Sequence, residues 1–583
     1  ALGPNQPDNH VTVKLLNQVI VMDDVRVTAT RQDNITVINI PVVAGAVIPS
    51  IAGGVESAIV TLPGVSSFSE LSSGYSVRGG SYDENLVYIN DVEVYRLYLI
   101  RTGQQEGLSR INPDLTSSVN FSPGGFSAAY GDRMSSVLDI TYREPEKREG
   151  SVSLSLLTSS AHAGVRSNDD RLWFIAGARY RSNAILLGSL DDRGAYSPHF
   201  ADLQALGGFE PDSRTRLTLS LWGSSNIYTF VPRSRTTTFG TFENAYRLYA
   251  YFEGGERDRY HTGGGALTLD IKHSDRHASK FILSSWIAGE YENYDIRGAY
   301  SLMALDKNEG MENRPDTTLN AGIGSWLSHA RNSYRSSVTA LSYRGNALAG
   351  SNGLEWGVTA RYRNYDSNRN EWLRVDSAGF TLGGTGEGLA LTTVTDLAVT
   401  TGSLTAEGWF ISRTGFLIAG RKSDLNAGLR ASYDTYGSEL LVSPRVSLRT
   451  ALSERLSLYL AAGAYHQPPA GRELLTGTDP DGQQLRAQRS WHLTAGTRYD
   501  FIAWERPFRF TAEAWGKKFS RQVPYLIDNV RLVYYGGNIA RGYSAGVDLR
   551  VNGEFVPGVE SWFSLSFMKS EMMIPSLSTD WYP

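Results

Sequence analysis

A chain of 583 residues with a net charge of −4 is too long for one ordinary soluble core, and its near-neutral balance offers no basic face for nucleic acid. The lack of cysteine removes disulfides, cysteine-ligated zinc and thiol catalysis together. No run reaches the roughly 18 uninterrupted apolar residues of a membrane helix, whereas a β-barrel stays open, because alternation hides its apolar face from hydropathy. The longest apolar run, 41–52, is broken by Pro49 and Ser50.

The chain opens Ala1-Leu2-Gly3-Pro4, without a charged and then apolar leader, and reads as a processed or trimmed start. Two short β-prone segments follow, Val11-Thr12-Val13-Lys14-Leu15-Leu16 and, with an acidic start, Val21-Met22-Asp23-Asp24-Val25-Arg26-Val27-Thr28-Ala29. The second can be a plain first strand, or a segment that adds to a partner's sheet. Next comes a Gly-rich module: Leu62-Pro63-Gly64-Val65, then Tyr75-Ser76-Val77-Arg78-Gly79-Gly80, then Asn85-Leu86-Val87-Tyr88-Ile89-Asn90-Asp91-Val92. It closes with Phe121-Ser122-Pro123-Gly124-Gly125-Phe126 through Tyr130-Gly131 and Ser135-Ser136-Val137-Leu138-Asp139-Ile140-Thr141. The glycines fit turns with positive φ. A phosphate cradle would need a following Gly-Lys-Ser/Thr, which is not there.

In order and spacing this module resembles the plug domain of the TonB-dependent outer-membrane receptors. The resemblance implies a plug at 31–146 inside a barrel at 147–583, in the outer membrane of a Gram-negative bacterium. Residues 1–20 would end a periplasmic extension, and 21–30 would hold the energy-coupling TonB box, with Asp23, Asp24, Val25, Arg26 and Val27 as its residues. Arg78 stands where the family has the arginine of an Ile-Arg-Gly motif, and the resemblance implies that it pairs with acids on the barrel wall. Gly79, Gly80, Gly124, Gly125, Tyr130 and Gly131 are the other plug-motif positions. Asn90-Asp91 replaces the family's more usual Asp-Gly turn.

The barrel has its own signal. From about Gly150 onward apolar residues alternate with polar ones. Leu217, Leu219 and Leu221 do so, as do Ala545, Val547, Leu549 and Val551 against Ser544, Gly546, Asp548 and Arg550, and Phe563, Leu565 and Phe567. A period of two is a half-buried strand, and no helical periodicity is present to cover the apolar face. Short connections at 167–170, 210–214, 273–277, 350–353, 421–424, 452–454 and 502–506 intervene between mostly long ones at 183–199, 227–261, 297–335, 366–402, 466–485 and 521–539. Such sorting is that of an outer-membrane barrel. About 17 strands are counted where a plugged barrel has about 22. Open edges are not viable in lipid, so about five C-terminal strands are expected beyond this sequence. The fold expected is mostly β, a transmembrane antiparallel barrel around an N-terminal α+β plug.

Phase places Glu290, Glu292, Glu355 and Glu513 toward the lumen, as partners for Arg78 or as general polar lining beside Arg361, Arg363 and Arg509. No metal spacing occurs among the nine histidines, no Gly-x-Ser-x-Gly elbow appears, and Asp479-Pro480-Asp481-Gly482 lacks the downstream glutamate of a calcium loop. No enzyme activity and no cofactor are expected. The long connections carry Tyr228, Phe230, Phe239, Phe242, Tyr246, Tyr249, Tyr251 and Phe252, suited either to ligand binding or to loop packing that closes the mouth. The leading expectation is energy-coupled import of a siderophore, cobalamin, glycan or peptide. Its partners would be outer-membrane lipid and a periplasmic TonB-like protein, with a surface lipoprotein or other outer-membrane subunits as open additions. The alternative is a plugged subunit of a secretion or assembly complex; a passive porin is disfavoured by the obstructing first 140 residues.

Overall fold

The computed structural model describes residues 36–40, 54–67, 74–95, 109–185, 194–240, 245–305, 317–350, 352–377, 391–469, 471–475, 484–528, 531–557 and 559–574. The segments 11–16 and 21–30 lie outside the described residues, as does Phe242.

The chain first builds a small mixed sheet. Strand β1 (Ile38–Ile40) precedes helix α1 (Val55–Val60), the ribbon of β2 (Val65–Ser66) with β3 (Ser76–Val77), and the hairpin of β4 (Asn85–Ile89) with β5 (Val92–Glu93). β6 (Thr116–Ser122) and β7 (Ser136–Tyr142) complete it in the order β1-β6-β7-β4-β5, with β4 and β7 parallel. β7 is buried at Ser136, Val137, Leu138, Asp139 and Ile140 alike, as a central strand covered on both faces should be. Its core joins Ile59, Leu115, Val119 and Phe121 to Trp173, Ile175 and Leu206 of the surrounding wall. At the β4–β5 turn both Asn90 (φ 49°) and Asp91 (φ 66°) are left-handed, the type I′ geometry that residues of this kind tolerate.

The wall begins with β8 (Glu149–Leu154), β9 (Thr158–Arg166), β10 (Leu172–Ser182), β11 (Gly194–Phe209) and β12 (Thr215–Pro232). After β13 (Arg235–Gly240) come β14 (Ala245–Ser274), β15 (His277–Leu305), β16 (Thr317–Ala349), β17 (Asn352–Ser377) and β18 (Thr393–Ile418). β19 (Arg421–Asp434), β20 (Glu439–Ala451), β21 (Leu456–Gln467), β22 (Gln488–Ala503) and β23 (Arg506–Gln522) follow. A separate hairpin, β24 (Tyr525–Asp528) with β25 (Arg531–Tyr534), precedes β26 (Ala540–Val556) and β27 (Val559–Met573). β13 pairs with β14 alone, and β14 also pairs directly with β12, so β13 is an arm and seventeen strands make the ring.

Alternation decides what each wall residue meets. Along β15 Phe281, Leu283 and Ile287 are exposed outward while Ile282, Trp286, Ala288, Glu290 and Glu292 are buried inward. Outward from Phe281 to Tyr291 runs an apolar belt bounded by aromatic residues, the height of one hydrocarbon layer.

Two expectations about the connections need correction. The turn expected at 421–424 is Ala419-Gly420, both left-handed (φ 50° and 77°), and 421–424 already belong to β19. The stretches 227–261, 297–335 and 366–402 are not loops throughout: β12 to β18 carry their ladders far into them. Tyr228, Phe230, Phe239, Tyr246, Tyr249, Tyr251 and Phe252 therefore stand on strands. Beyond the apolar belt the outer face no longer needs to be greasy, so alternation fades while backbone pairing continues.

The seam of the ring is distinctive. Consecutive wall strands are antiparallel, and an odd ring leaves β27 and β8 pointing the same way. The ring is nonetheless closed, with β27 next to β8 in the strand order. Val152 and Leu154 on one side and Phe563 and Phe567 on the other are 73%, 78%, 61% and 65% exposed.

Candidate functional site

The plug meets the wall through a ring of charged groups, each raised on a tight turn or a lumen-facing strand position. Arg78 follows β3 with φ 51°, its N–H donating to Gly64 O at 2.7 Å. That turn aims the side chain at β23 and β26. Nε and Nη2 donate to Asp548 Oδ2 at 3.1 and 2.8 Å, and Nη2 also donates to Glu513. The guanidinium lies 5.2 Å from the centre of the Trp515 ring and is buried. Both acids are held from behind, Glu513 by the Tyr459 hydroxyl at 2.5 Å and Asp548 by the Ser566 hydroxyl at 2.5 Å. Burial disfavours the Arg78 charge, but Glu513 and Asp548 outweigh it and raise its pKa.

A second cluster faces β17 to β19. Asp132, left-handed at φ 64°, accepts from Arg361 Nη1 at 2.5 Å and Arg363 Nη2 at 3.0 Å. Glu93 pairs with Arg361 at 2.9 Å, and Glu407 joins Arg361 to Arg430. Burial pushes the Asp132 carboxyl up, yet the two arginines hold it below the usual carboxylate range. Asp91 forms a third anchor, with Lys280 and Arg344 both at 2.7 Å. Elsewhere the wall grips plug backbone. Arg179 donates to the carbonyls of Ser109 and Ile111, and Arg445 to those of Ser127 and Tyr130.

The plug-motif residues serve this packing. A side chain on Gly79 (φ 74°) would meet the Ser544 hydroxyl at 2.5 Å, and one on Gly131 would strike the Arg430 guanidinium. Gly80 backs onto Ser135, Gly124 faces Arg78, and Gly125 touches Thr36 and Ala461. Tyr130 donates to Asp139 at 2.7 Å, and Asn90 accepts from the Tyr142 N–H at 2.8 Å.

Of the four nominated acids, Glu513 meets Arg78. Glu355 instead pairs with Arg413 of the neighbouring strand at 2.9 Å, while Glu290 and Glu292 are buried in the lumen, Glu292 accepting from Asn332 at 2.6 Å. Arg509 pairs with Asp500 on the half-exposed rim. Asp548, Asp132 and Glu93 were not nominated, and Asp91 was named as a plug-motif turn residue without a wall partner. The lumenal phase of Asp548 and the turn position of Asp91 were the available signals.

Lys517 donates to Val77 O and Ser135 Oγ, both at 3.2 Å, beside buried Glu84. Burial and then the neighbouring Asp83 push the Glu84 carboxyl up to about 7, against the pull of Lys517. A proton is thus held more tightly in the folded protein than at the ordinary 4.5, and the contribution of Glu84 to stability falls as pH rises through that window. Glu84→Gln is expected to raise the thermal midpoint relative to the parent at about pH 8 and to leave it unchanged near pH 4, below both values. Calorimetry at the two pH values checks this; a difference independent of pH would contradict it.

At the opposite end from the short turns, aromatic residues close over the plug. Tyr82, at the plug apex, packs edge-on against Tyr525 of β24 at 6.1 Å, and Tyr334, Tyr365, Leu474 and Val523 form a cluster beside it. Gln488 donates to Glu473 at 2.8 Å, holding the short helix Gly471–Leu475 inward. Among the described residues no group of acidic or imidazole side chains could hold a metal ion.

Residues 20–136 match the family TonB-dependent Receptor Plug Domain. No curated protein matches the chain. Among solved structures, the siderophore receptor PirA from Acinetobacter baumannii aligns with TM-score 0.60 and 12% identity, over 91% of this chain and 80% of that one. The outer membrane transporter YddB from Escherichia coli gives 0.59 and 12%, over 92% and 77%. The pyoverdine receptor FpvA from Pseudomonas aeruginosa PAO1, bound to pyoverdine, gives 0.58 and 11%, over 88% and 75%. At these identities the likeness establishes the plugged-barrel fold.

Proposed function

We propose that this protein, whose plug domain matches that of the TonB-dependent receptors and whose fold is a plugged barrel, is an outer-membrane transporter of a scarce ligand. The observation that carries this reading is how the plug is held. Its polar anchors are ion pairs and backbone grips with the wall: Arg78, Asp91 and Asp132 from the plug, Arg179 and Arg445 from the wall. Such contacts orient a plug and can be exchanged one at a time, and a porin has no use for them. Ligand would bind between the aromatic mouth and the plug apex around Tyr82. Residues 21–30 would engage a periplasmic TonB-like protein, whose pull must shift the plug equilibrium by several kcal/mol.

Ferric siderophores are the first ligand class to test, because PirA is described as a siderophore receptor and FpvA was solved with pyoverdine. Cobalamin, glycans and peptides are the other candidates. Purified protein should bind at least one ferric chelate from a hydroxamate, catecholate and mixed-chelate panel with sub-micromolar affinity by fluorescence titration. Binding to none of these, nor to cobalamin, oligosaccharide or peptide, while the protein co-purifies with a stable outer-membrane assembly, would replace import by the subunit reading.

A further inference from the structure

Between the plug sheet and the wall at β11, β12, β14 and β15 lies a cavity of ≈140 Å³. The inward pattern of the wall explains it. One rung carries Gln204, Trp222, Gly264 and Trp286 across the four strands. The next rung toward the long connections carries Asp202, Ser224, Thr262 and Ala288, and the one beyond it Phe200, Asn226, Tyr260 and Glu290. Three of the four side chains on the middle rung are short, and Gly264 adds none beneath them. A Cβ on Gly264 would strike the Trp222 ring at 2.7 Å. On the plug side Val87 and Ile89 line the space and stay half-buried.

The lining is mostly apolar, and its polar groups are not equally satisfied. Asp202 accepts from Arg179 Nε at 2.9 Å, and Glu56 accepts from the Ser109 hydroxyl. Gln204 accepts from the Tyr142 hydroxyl and donates to the Arg110 carbonyl at 2.7 Å. Arg110 differs from these. Its Nη2 donates to the Tyr260 hydroxyl at 2.8 Å, and its guanidinium lies 5.7 Å from the centre of the Trp286 ring. Among the described residues it forms no ion pair. The Trp286 indole N–H, on a residue 3% exposed, has no acceptor among the described residues. A half-buried cation without a carboxylate and a buried donor without an acceptor therefore border one apolar space.

Those two donors select the occupant. Arg110 repels an amine, and a hydrocarbon leaves both donors unmet. A small inorganic anion meets the donors but leaves the apolar lining uncovered. A planar ring carrying one carboxylate satisfies both the donors and the lining. Size agrees, since an apolar cavity of about 150 Å³ takes a benzene ring.

We propose that this cavity binds a small aromatic monocarboxylate, its ring between Trp222 and the Val87–Ile89 face and its carboxylate on Arg110 and the Trp286 N–H. Arg110 comes from the plug and Trp286 from the wall, so the bound molecule joins the two and holds the plug seated. The inference stands on the plugged-barrel fold and is independent of what the protein imports.

The test uses the full chain, purified in a neutral detergent, with benzoate as probe and benzamide and acetate as comparators, and ligand-observed NMR to read binding. Benzoate is expected to bind with a Kd of about 1 mM or tighter, the range open to about nine heavy atoms. It should bind at least about tenfold more tightly than benzamide, which lacks the charge, or acetate, which lacks the ring. Arg110→Gln should erase the preference for benzoate over benzamide. Ser224→Phe, which fills the middle rung, should abolish binding of both. At about ten times its Kd, benzoate should slow thiol modification of a single cysteine placed at buried Val77 by about tenfold, because it binds only the seated plug. Crystals soaked with 4-iodobenzoate should show iodine between the plug sheet and β12. Equal binding of benzoate and benzamide to the parent, or an unaltered preference in the Arg110→Gln variant, would overturn the proposal. So would an iodine site elsewhere or an unchanged thiol rate.

Discussion

Arg78→Ala is expected to destabilise the seating of the plug by about 3–5 kcal/mol, because it leaves Glu513 and Asp548 buried and facing each other without a cation. The absence of cysteine makes the measurement direct. A single cysteine introduced at Val77, which is fully buried, should react with a thiol reagent only when the plug opens. The Arg78→Ala change should accelerate that reaction by roughly two to four orders of magnitude. Arg78→Lys should fall between, since one ammonium cannot reproduce the donors that reach both acids. An unchanged rate in the alanine variant would mean that apolar packing alone seats the plug.

The second large effect is expected at Asp132. Its carboxylate is shared by Arg361 and Arg363, and Asp132→Asn keeps the shape while removing the charge. Two buried guanidinia would then depend on Glu93, Glu407 and Asp434. A loss of about 3 kcal/mol is expected, read by the same thiol reaction. A double-mutant cycle with Arg361→Gln should give a coupling of at least about 1 kcal/mol, whereas additive effects would contradict a shared network. Because Arg78 and Asp132 face different strands of the wall, their own effects should add.

Much of the architecture was legible because a barrel in lipid obeys a strict period. Leu217, Leu219 and Leu221, or Phe563, Leu565 and Phe567, have to face outward if their strands are to exist at all. Phase also turned Glu513 and Asp548 inward. It could not say which inward residues share a height. Glu355 faces the lumen as read, but at the level of Arg413, and it pairs there instead of reaching the plug. Tertiary height depends on strand tilt and register, which local sequence does not carry. The same limit hid Asp132, whose partners are more than two hundred residues away in sequence.

The long connections were misread for a different reason. Aromatic and arginine-rich stretches such as 227–261 lose alternation once the strand leaves lipid, and so imitate loops, although β12 and β14 continue as a ladder from Thr215 and Ile271 to Phe230 and Glu256. At Asn90 and Asp91 the departure from Asp-Gly mattered little, since both residue types tolerate the left-handed region. Asp91 gains a further role there, because a turn residue at the end of a hairpin can reach Lys280 and Arg344 on the wall.

The most direct test of the central claim is ligand uptake in cells expressing the protein intact or lacking residues 23–29. Driven import predicts that the deleted form still folds, reaches the surface and binds ligand, while uptake falls to the level of de-energised cells. Uptake unchanged by the deletion would contradict coupling through that segment and, with it, the proposal that this plug is moved by a periplasmic partner.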